Sequence, residues 1–143
     1  MIITKITEAT PYLHSQILKL IKQLTNKEVL FTFDDFTSMI YLEQSILLGA
    51  FDDEILVGIL TIAIIQIPTG KNGRIEDVVV DKDYREKGIG KKLSLEAIRV
   101  AKELKLSKLF LTSNPKRVEA NKLYQKIGFK LKTTNSYFYP IIK

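Results

Sequence analysis

The sequence contains no cysteine. Disulfides, thiolate metal sites and a cysteine nucleophile are therefore excluded, and nothing points to an oxidising compartment. Histidine is almost as scarce. The single one, His14, lies in a stretch of helical periodicity with no acidic partner nearby, so it reads as a surface residue and a hydrolytic triad has nothing to build on. No apolar run approaches the roughly 18 residues of a membrane helix. The longest, Ile55 to Ile67, is interrupted by Gly58, Thr61 and Gln66. Met1-Ile2-Ile3-Thr4-Lys5 lacks a signal-peptide pattern, so the expected location is the cytoplasm, with no membrane partner. Asp34-Asp35 and Asp52-Asp53 fall where a helix cap or a turn is expected, and no metal is expected there.

The 143 residues suffice for one domain, 1–143, with a real core. A composition of 45% hydrophobic and 27% charged residues is that of an ordinary globular protein. The net charge of +6 favours an anionic partner: a nucleotide-like cofactor, a phosphorylated substrate or nucleic acid. Aromatic residues are not interleaved with the basic ones as a single-strand-binding platform requires, which disfavours nucleic acid. A basic module built from Lys82, Lys87, Lys91, Lys92, Lys116 and Arg117 stays as an alternative.

Periodicity orders the elements. Ile2 to Ile6 reads as a strand, and Thr10-Pro11 opens a helix to about residue 25 with Leu13, Ile17, Leu20, Ile21 and Leu24 on one stripe. Thr32 or Asp34 caps a second helix. Ser45 to Phe51 and Ile55 to Ile67 form a hairpin around Asp52-Asp53-Glu54, and Arg74 to Asp81 adds a third strand. A helix runs to about Leu104 with Ile89, Leu93, Ala97, Val100, Ala101 and Leu104 buried. Lys108 to Thr112 is a strand, Glu119 to Ile127 a short helix closed by Gly128, and Phe129–Leu131 with Tyr137–Tyr139 a closing hairpin. The fold class is α+β: a mixed, mostly antiparallel central sheet flanked by helices. Tyr137 and Phe138 on the last hairpin hint at a homodimer.

Val78-Val79-Val80 leads through a charged turn into Arg85-Glu86-Lys87-Gly88-Ile89-Gly90-Lys91-Lys92, where two glycines open a helix. The first four N–H groups of a helix lack partners within it, and the peptide dipoles place partial positive charge there. Glycine lets a phosphate approach the backbone without meeting a Cβ. A triphosphate P-loop needs a glycine where Arg85 stands and Ser or Thr where Lys92 stands. A dinucleotide fingerprint needs a third glycine where Leu93 stands.

Arg85-Glu86-Lys87-Gly88-Ile89-Gly90 instead resembles the acetyl-CoA diphosphate loop, Gln/Arg-x-x-Gly-x-Gly/Ala, of the GCN5-related N-acetyltransferase family. Asn121-Lys122-Leu123-Tyr124-Gln125-Lys126-Ile127-Gly128-Phe129 is similar to that family's downstream Asn-x-x-Tyr-x-x-x-Gly-Phe segment. The two motifs together cover roughly residues 74 to 130, and the first 70 residues resemble the family only in the order of their elements.

The resemblance implies that main-chain N–H groups of Arg85, Glu86, Lys87, Gly88, Ile89, Gly90 and Lys91 hold the CoA diphosphate, and that the edge of Val78, Val79 and Val80 pairs with the pantetheine amides. It places Asn121 on the pantetheine arm or on a main-chain group near it, and Asn114 in the gap where the two parallel strands splay. Lys91 and Lys92 are available for the 3′-phosphate. Acetyl transfer to an amine needs a neutral amine, a stabilised oxyanion and a proton for the leaving thiolate. Tyr124 is the donor of that proton, since a phenol is protonated at neutral pH yet acidic enough to serve a thiolate. Glu76 and Asp77 are the candidate bases. On a regular strand they point to opposite faces, with Glu76 on the side of Val78 and Val80. Ile75-Glu76-Asp77-Val78-Val79-Val80 resembles the corresponding segment of the glucosamine-phosphate N-acetyltransferases. A main-chain N–H near Val78 or Val79 is the candidate oxyanion donor. The expected activity is acetyl-CoA-dependent acetylation of a primary amine. Small amines, amino sugars, polyamines and protein N-termini or lysines stay open as acceptors, and a catalytically silent acyl-CoA sensor stays open as a second class.

Overall fold

The computed structural model describes residues 1–142. By their internal contacts these residues form two units, Met1–Thr112 and a second beginning at Ser113. In the first, β1 (Ile2–Lys5), β2 (Ser45–Asp52), β3 (Ile55–Ile67), β4 (Gly70–Val80) and β5 (Lys108–Phe110) form one sheet in chain order. Every pairing is antiparallel except that of β4 with β5, which is parallel. The third meander strand begins earlier than Arg74 because Ile67 pairs directly with Gly70, so only Pro68-Thr69 interrupts the hairpin.

Helices α1 (Pro11–Thr25) and α2 (Phe33–Tyr41) start where side chains satisfy their first N–H groups. Thr10 accepts from Leu13 N–H, and Thr32, rather than Asp34, caps α2 in a reciprocal box with Asp35. Both helices cover one face of the sheet, where Ile17, Leu20 and Phe36 pack with Leu47, Leu56, Ile59 and Val79. Helix α3 (Ile89–Glu103) covers the other face with Ile89, Leu93, Ala97 and Ala101 buried. Gly58 lets it approach, since a Cβ there would lie 3.3 Å from Leu93 Cδ1 and 3.4 Å from Ile89 Cγ2. Val100 and Leu104, expected on the buried stripe, sit at its margin, and Leu104 is 37% exposed. His14 is half-buried rather than on the open surface. Its Nε2 lies 2.7 Å from Phe31 O, and its ring is within 6.1 Å of those of Phe31, Phe33 and Phe36.

The ladder between β3 and β4 carries one irregularity. Ile59 faces Val79 and Thr61 faces Glu76, so Leu60 alone opposes both Asp77 and Val78. That is a β-bulge, and Asp77 adopts a left-handed conformation within it, φ 51°.

The second unit carries α4 (Val118–Lys126). The closing hairpin expected at 129–131 and 137–139 does not form: neither segment lies in a strand, and Leu131, Tyr137, Phe138 and Tyr139 are 83–89% exposed. Two runs of three residues supply too few ladder bonds and too little buried area to hold as a hairpin on their own.

Candidate active site

The loop between β4 and α3 is pinned at its start. Asp81, 8% exposed, accepts from Asp83 N–H (2.9 Å) through Oδ1 and from Gln23 Nε2 (3.2 Å) through Oδ2. Gln23 in turn accepts from Lys82 N–H through Oε1 at 2.9 Å. Burial by itself would raise the Asp81 carboxyl. The hydrogen bonds from Asp83 and Gln23, with Lys19 and Lys82 nearby, outweigh it and hold the group below the ordinary carboxylate range. A depressed folded-state value means that the stabilisation is present above the unfolded carboxyl range and lost as pH falls through the folded value. Urea midpoints measured below about pH 4 should therefore fall more steeply for the wild type than for Asp81→Asn.

Further along, the Tyr84 hydroxyl donates to Asp52 Oδ2 at 2.9 Å, tying the loop to the β2–β3 turn, and Lys87 Nζ sits 5.1 Å above the Tyr84 ring. The bond to Asp52, and then partial desolvation, raise the phenol. Arg85 turns back so that its Nε donates to Val80 O at 3.1 Å. Its side chain braces the loop, leaving main-chain groups to face a ligand.

Those groups fit a diphosphate. Among the described residues no side chain caps α3, and its first turn holds no acidic residue. Gly88 is left-handed at φ 77°, as is Glu86 at φ 64° two residues before it. Gly90 has no positive φ, and a Cβ built there would meet nothing within 4 Å. Neither backbone conformation nor packing requires glycine at 90. The open space lies over an uncapped helix N-terminus, which is where an anion would come against the backbone. Lys91 and Lys92 are exposed in the same turn.

Beside the loop, β5 pairs with β4 only from Asn72 to Arg74. From Ile75 to Val80 the β5 side of β4 has no neighbouring strand among the described residues, so the edge carrying Val78, Val79 and Val80 is available for strand-like pairing. The bulge corrects the expected facing of the carboxylates. Because two residues oppose Leu60, the alternation slips by one: Glu76 shares its face with Val79, while Val80 returns to the face of Ile75. Glu76 Oε1 is 2.6 Å from Arg74 Nε, and both side chains are partly exposed. Asp77 has no cationic partner among the described residues. Desolvation around its carboxyl, although the side chain reaches solvent, and then the neighbouring Glu76 charge raise it above the usual aspartate range. The bulge also interrupts the ladder around Asp77 and Val78, where the candidate oxyanion donor lies.

The second unit gathers the other three expected residues. Asn114 Oδ1 accepts from Lys116 N–H (2.9 Å), forming the turn that leads into α4. Asn121 Nδ2 donates to the carbonyls of Asn114 (3.0 Å) and Arg117 (2.9 Å). Tyr124 lies one turn on, 8% exposed, its ring 5.9 Å from that of Phe129 in an edge-on contact. The first unit thus brings together the loop, the strand edge and both carboxylates, and the second holds Asn114, Asn121 and Tyr124.

Three participants escape motif reading: Gln23, Arg74 and the Tyr84–Asp52 pair. Gln16 and Gln23 are seven apart, on one face of α1 beside Ile17 and Leu20, and Gln16 Oε1 likewise accepts a main-chain N–H, that of Leu56 at 3.2 Å. Two polar residues at that spacing beside a buried stripe are the signal. Arg74 lies two residues before Glu76, hence on the same strand face. Asp35 is occupied as a cap and Asp52 by Tyr84. Among the described residues no group of three or more His, Asp or Glu side chains is arranged to hold a metal, and no helix is long and apolar enough to cross a membrane.

The profile of the Acetyltransferase (GNAT) family matches residues 16–129. A glucosamine 6-phosphate N-acetyltransferase of Trypanosoma brucei brucei is 38% identical over 58 residues, 41% of this chain and 37% of that protein. The matched stretch thus spans less than half the length of that relative. Among solved structures, an aminoglycoside acetyltransferase from an uncultured soil metagenomic sample superposes with a TM-score of 0.87 at 18% identity, covering 99% of this chain and 96% of that one. The glucosamine-6-phosphate N-acetyltransferase of Arabidopsis thaliana gives 0.80 at 21% identity, covering 98% and 99%. At such identities the superpositions establish the fold. With the family profile covering most of its length, the chain belongs to the GNAT family of acetyltransferases.

Proposed function

We propose that the protein is an acetyl-CoA-dependent N-acetyltransferase that acts by direct attack of a primary amine through a tetrahedral intermediate. The observation that carries this reading is the uncapped N-terminus of α3, with Gly90 facing open space, set beside the unpaired edge of β4. Main-chain N–H groups of residues 85–91 hold the diphosphate, and the edge at Val78–Val80 holds the pantetheine amides. Lys91 or Lys92 meets the 3′-phosphate. Asn121 fixes the start of α4 through its two carbonyl contacts, and Asn114 shapes the turn before it. One domain spanning 1–143 is the organisation this reading requires.

In the chemistry, the bound acetyl-CoA supplies an activated thioester. Asp77, raised by desolvation and by the neighbouring Glu76, takes the proton from the amine directly or through water. Glu76, beside Arg74 on the same strand face, draws the ammonium form of the substrate toward the strand. A bulge N–H at Val78 or Val79 meets the oxyanion, and the Tyr124 hydroxyl protonates the departing thiolate. A base must be deprotonated, so activity should rise with pH through the elevated Asp77 value. Asp77→Asn should lose about 10²-fold in kcat and flatten that acidic limb. An unchanged limb would transfer the role to Glu76 or to water.

Acetyl-CoA at 100 times its dissociation constant should stabilise the fold by about 2.7 kcal/mol, read as a rise in melting temperature. No shift at millimolar acetyl-CoA would end the assignment. Binding without thiol release across a panel of amines would indicate a silent acyl-CoA sensor, and salt-sensitive binding of nucleic acid with no acetyl-CoA response would indicate a basic module. The panel should begin with glucosamine 6-phosphate, the substrate in the name of the trypanosomal relative, before aminoglycosides, polyamines and lysine peptides. A cytoplasmic homodimer is the expected form, with the exposed apolar residues Tyr137 and Phe138 as its contact surface.

A further inference from the structure

We infer that Gln23 is a positioning residue for the cofactor loop. It lies on α1, remote in sequence from every other residue of the proposed site, and touches the loop with both ends of its amide. Its Nε2 donates to Asp81 Oδ2 at 3.2 Å while its Oε1 accepts from Lys82 N–H at 2.9 Å. A carboxamide carries its donor and its acceptor on separate atoms, so it can donate to a carboxylate and accept from a neighbouring peptide at once. The two residues it satisfies are consecutive in the chain, at the junction where β4 ends and the loop begins.

That junction has other fixed points, and they make the role of Gln23 specific. Asp81 N–H donates to Val57 O at 2.8 Å, which ties the residue to β3, and Asp81 O accepts from Tyr84 N–H at 2.8 Å. Asp81 Oδ1 is taken by Asp83. The backbone of Asp81 and one of its carboxylate oxygens are thus held without help from α1. What remains is Oδ2 and the Lys82 N–H, and Gln23 meets both. Without it a nearly buried carboxylate oxygen loses its hydrogen bond, and the first peptide of the loop is free to turn. The N–H groups of residues 85–91 begin three residues later in the chain. A loop whose donors must be ordered at the moment of binding holds a diphosphate less tightly than one already in place. The inference rests on the proposed acetyl-CoA site and predicts an effect on cofactor affinity with the chemical step left alone.

The test compares wild type with Gln23→Met, which keeps the length and helix preference of the side chain but removes both hydrogen bonds. Gln23→Met should raise the KM for acetyl-CoA and the Kd for CoA about five- to tenfold, with kcat at saturation within about twofold. Gln23→Glu keeps the acceptor but sets a second carboxylate against Asp81. It should weaken CoA binding increasingly as pH rises through the glutamate range, where the wild type stays flat. In Gln23→Glu/Asp81→Asn the donor and acceptor are exchanged across the same contact, and affinity should return to within about twofold of wild type. A purely structural role would lower the melting temperature of these variants and leave the CoA Kd of the folded protein unchanged, which overturns the inference. Failure of the double variant to restore binding overturns it equally. If the wild type itself binds neither acetyl-CoA nor CoA, the proposed function falls and this inference with it. Wild-type binding with an unaffected Gln23→Met removes the inference alone.

Discussion

Tyr124→Phe should lower kcat by about 10²- to 10⁴-fold, the range typical of a lost proton donor, while the KM for acetyl-CoA changes little. The ring contributes packing that phenylalanine preserves: it is buried, meets Phe129 edge-on, and the Tyr124 carbonyl accepts from Phe129 N–H at 2.9 Å. No hydrogen bond of the hydroxyl is found among the described residues, so its removal strands no buried partner. The melting temperature should therefore hold, with stability changed by less than about 0.5 kcal/mol, and the loss of rate cannot be ascribed to unfolding. Only the proton for the thiolate is missing. A substrate with a more acidic thiol leaving group needs that proton less, so the gap between variant and wild type should narrow with it. Equal turnover in the two proteins would remove Tyr124 from the mechanism.

The parts of the protein legible from sequence are those whose cause is local. Thr10-Pro11, the Thr32 cap and the stripe Ile89–Leu93–Ala97–Ala101 each carry their own cap or period; α1 and α3 stand within a residue or so of the expected bounds, and α2 starts after the first of its two expected caps. Gly88 and Gly90 are legible because they open a helix in a charged turn, where an anion site is a local reading. The order β2-β3-β4 comes from short connections between alternating runs, since sequential strands with tight turns pair with one another.

What sequence could not carry depends on partners far along the chain. The bulge at Asp77 exists because Leu60 faces two residues, and no pattern within Arg74–Val80 announces the slip. A regular alternation therefore puts Glu76 with Val80 when the structure puts it with Val79. The difference has chemical weight. Arg74 reaches Glu76 on the regular part of the strand, whereas Asp77, inside the bulge, is partly desolvated and has no cationic partner among the described residues. Gln23 and Asp81 are 58 residues apart. The expected hairpin at 129–139 failed in the opposite sense: local β preference was present, but preference without a sheet to join does not make a ladder.

Gly90→Ala offers the sharpest separation of fold from function, because the two should move in opposite directions. Gly90 is the second residue of α3, has no positive φ, and a methyl there touches nothing within 4 Å. Alanine restricts the unfolded chain and favours the helix, so the variant should be as stable as the wild type or more so, by up to about 1 kcal/mol. The same methyl projects where a diphosphate oxygen would approach the N–H groups of the first turn. Pushing the anion outward weakens several charge-assisted hydrogen bonds together, and acetyl-CoA affinity should fall by at least about tenfold, by more for Gly90→Val. Gly88→Ala makes the contrasting control. Its φ of 77° imposes strain on any side chain, so stability and affinity should drop together, with about 1 kcal/mol or more lost from the fold. Calorimetric titration of acetyl-CoA beside thermal melts of the three variants decides the matter. If Gly90→Ala gains stability and binds acetyl-CoA as the wild type does, the glycine was not there for a ligand, and the diphosphate must be sought elsewhere on the protein.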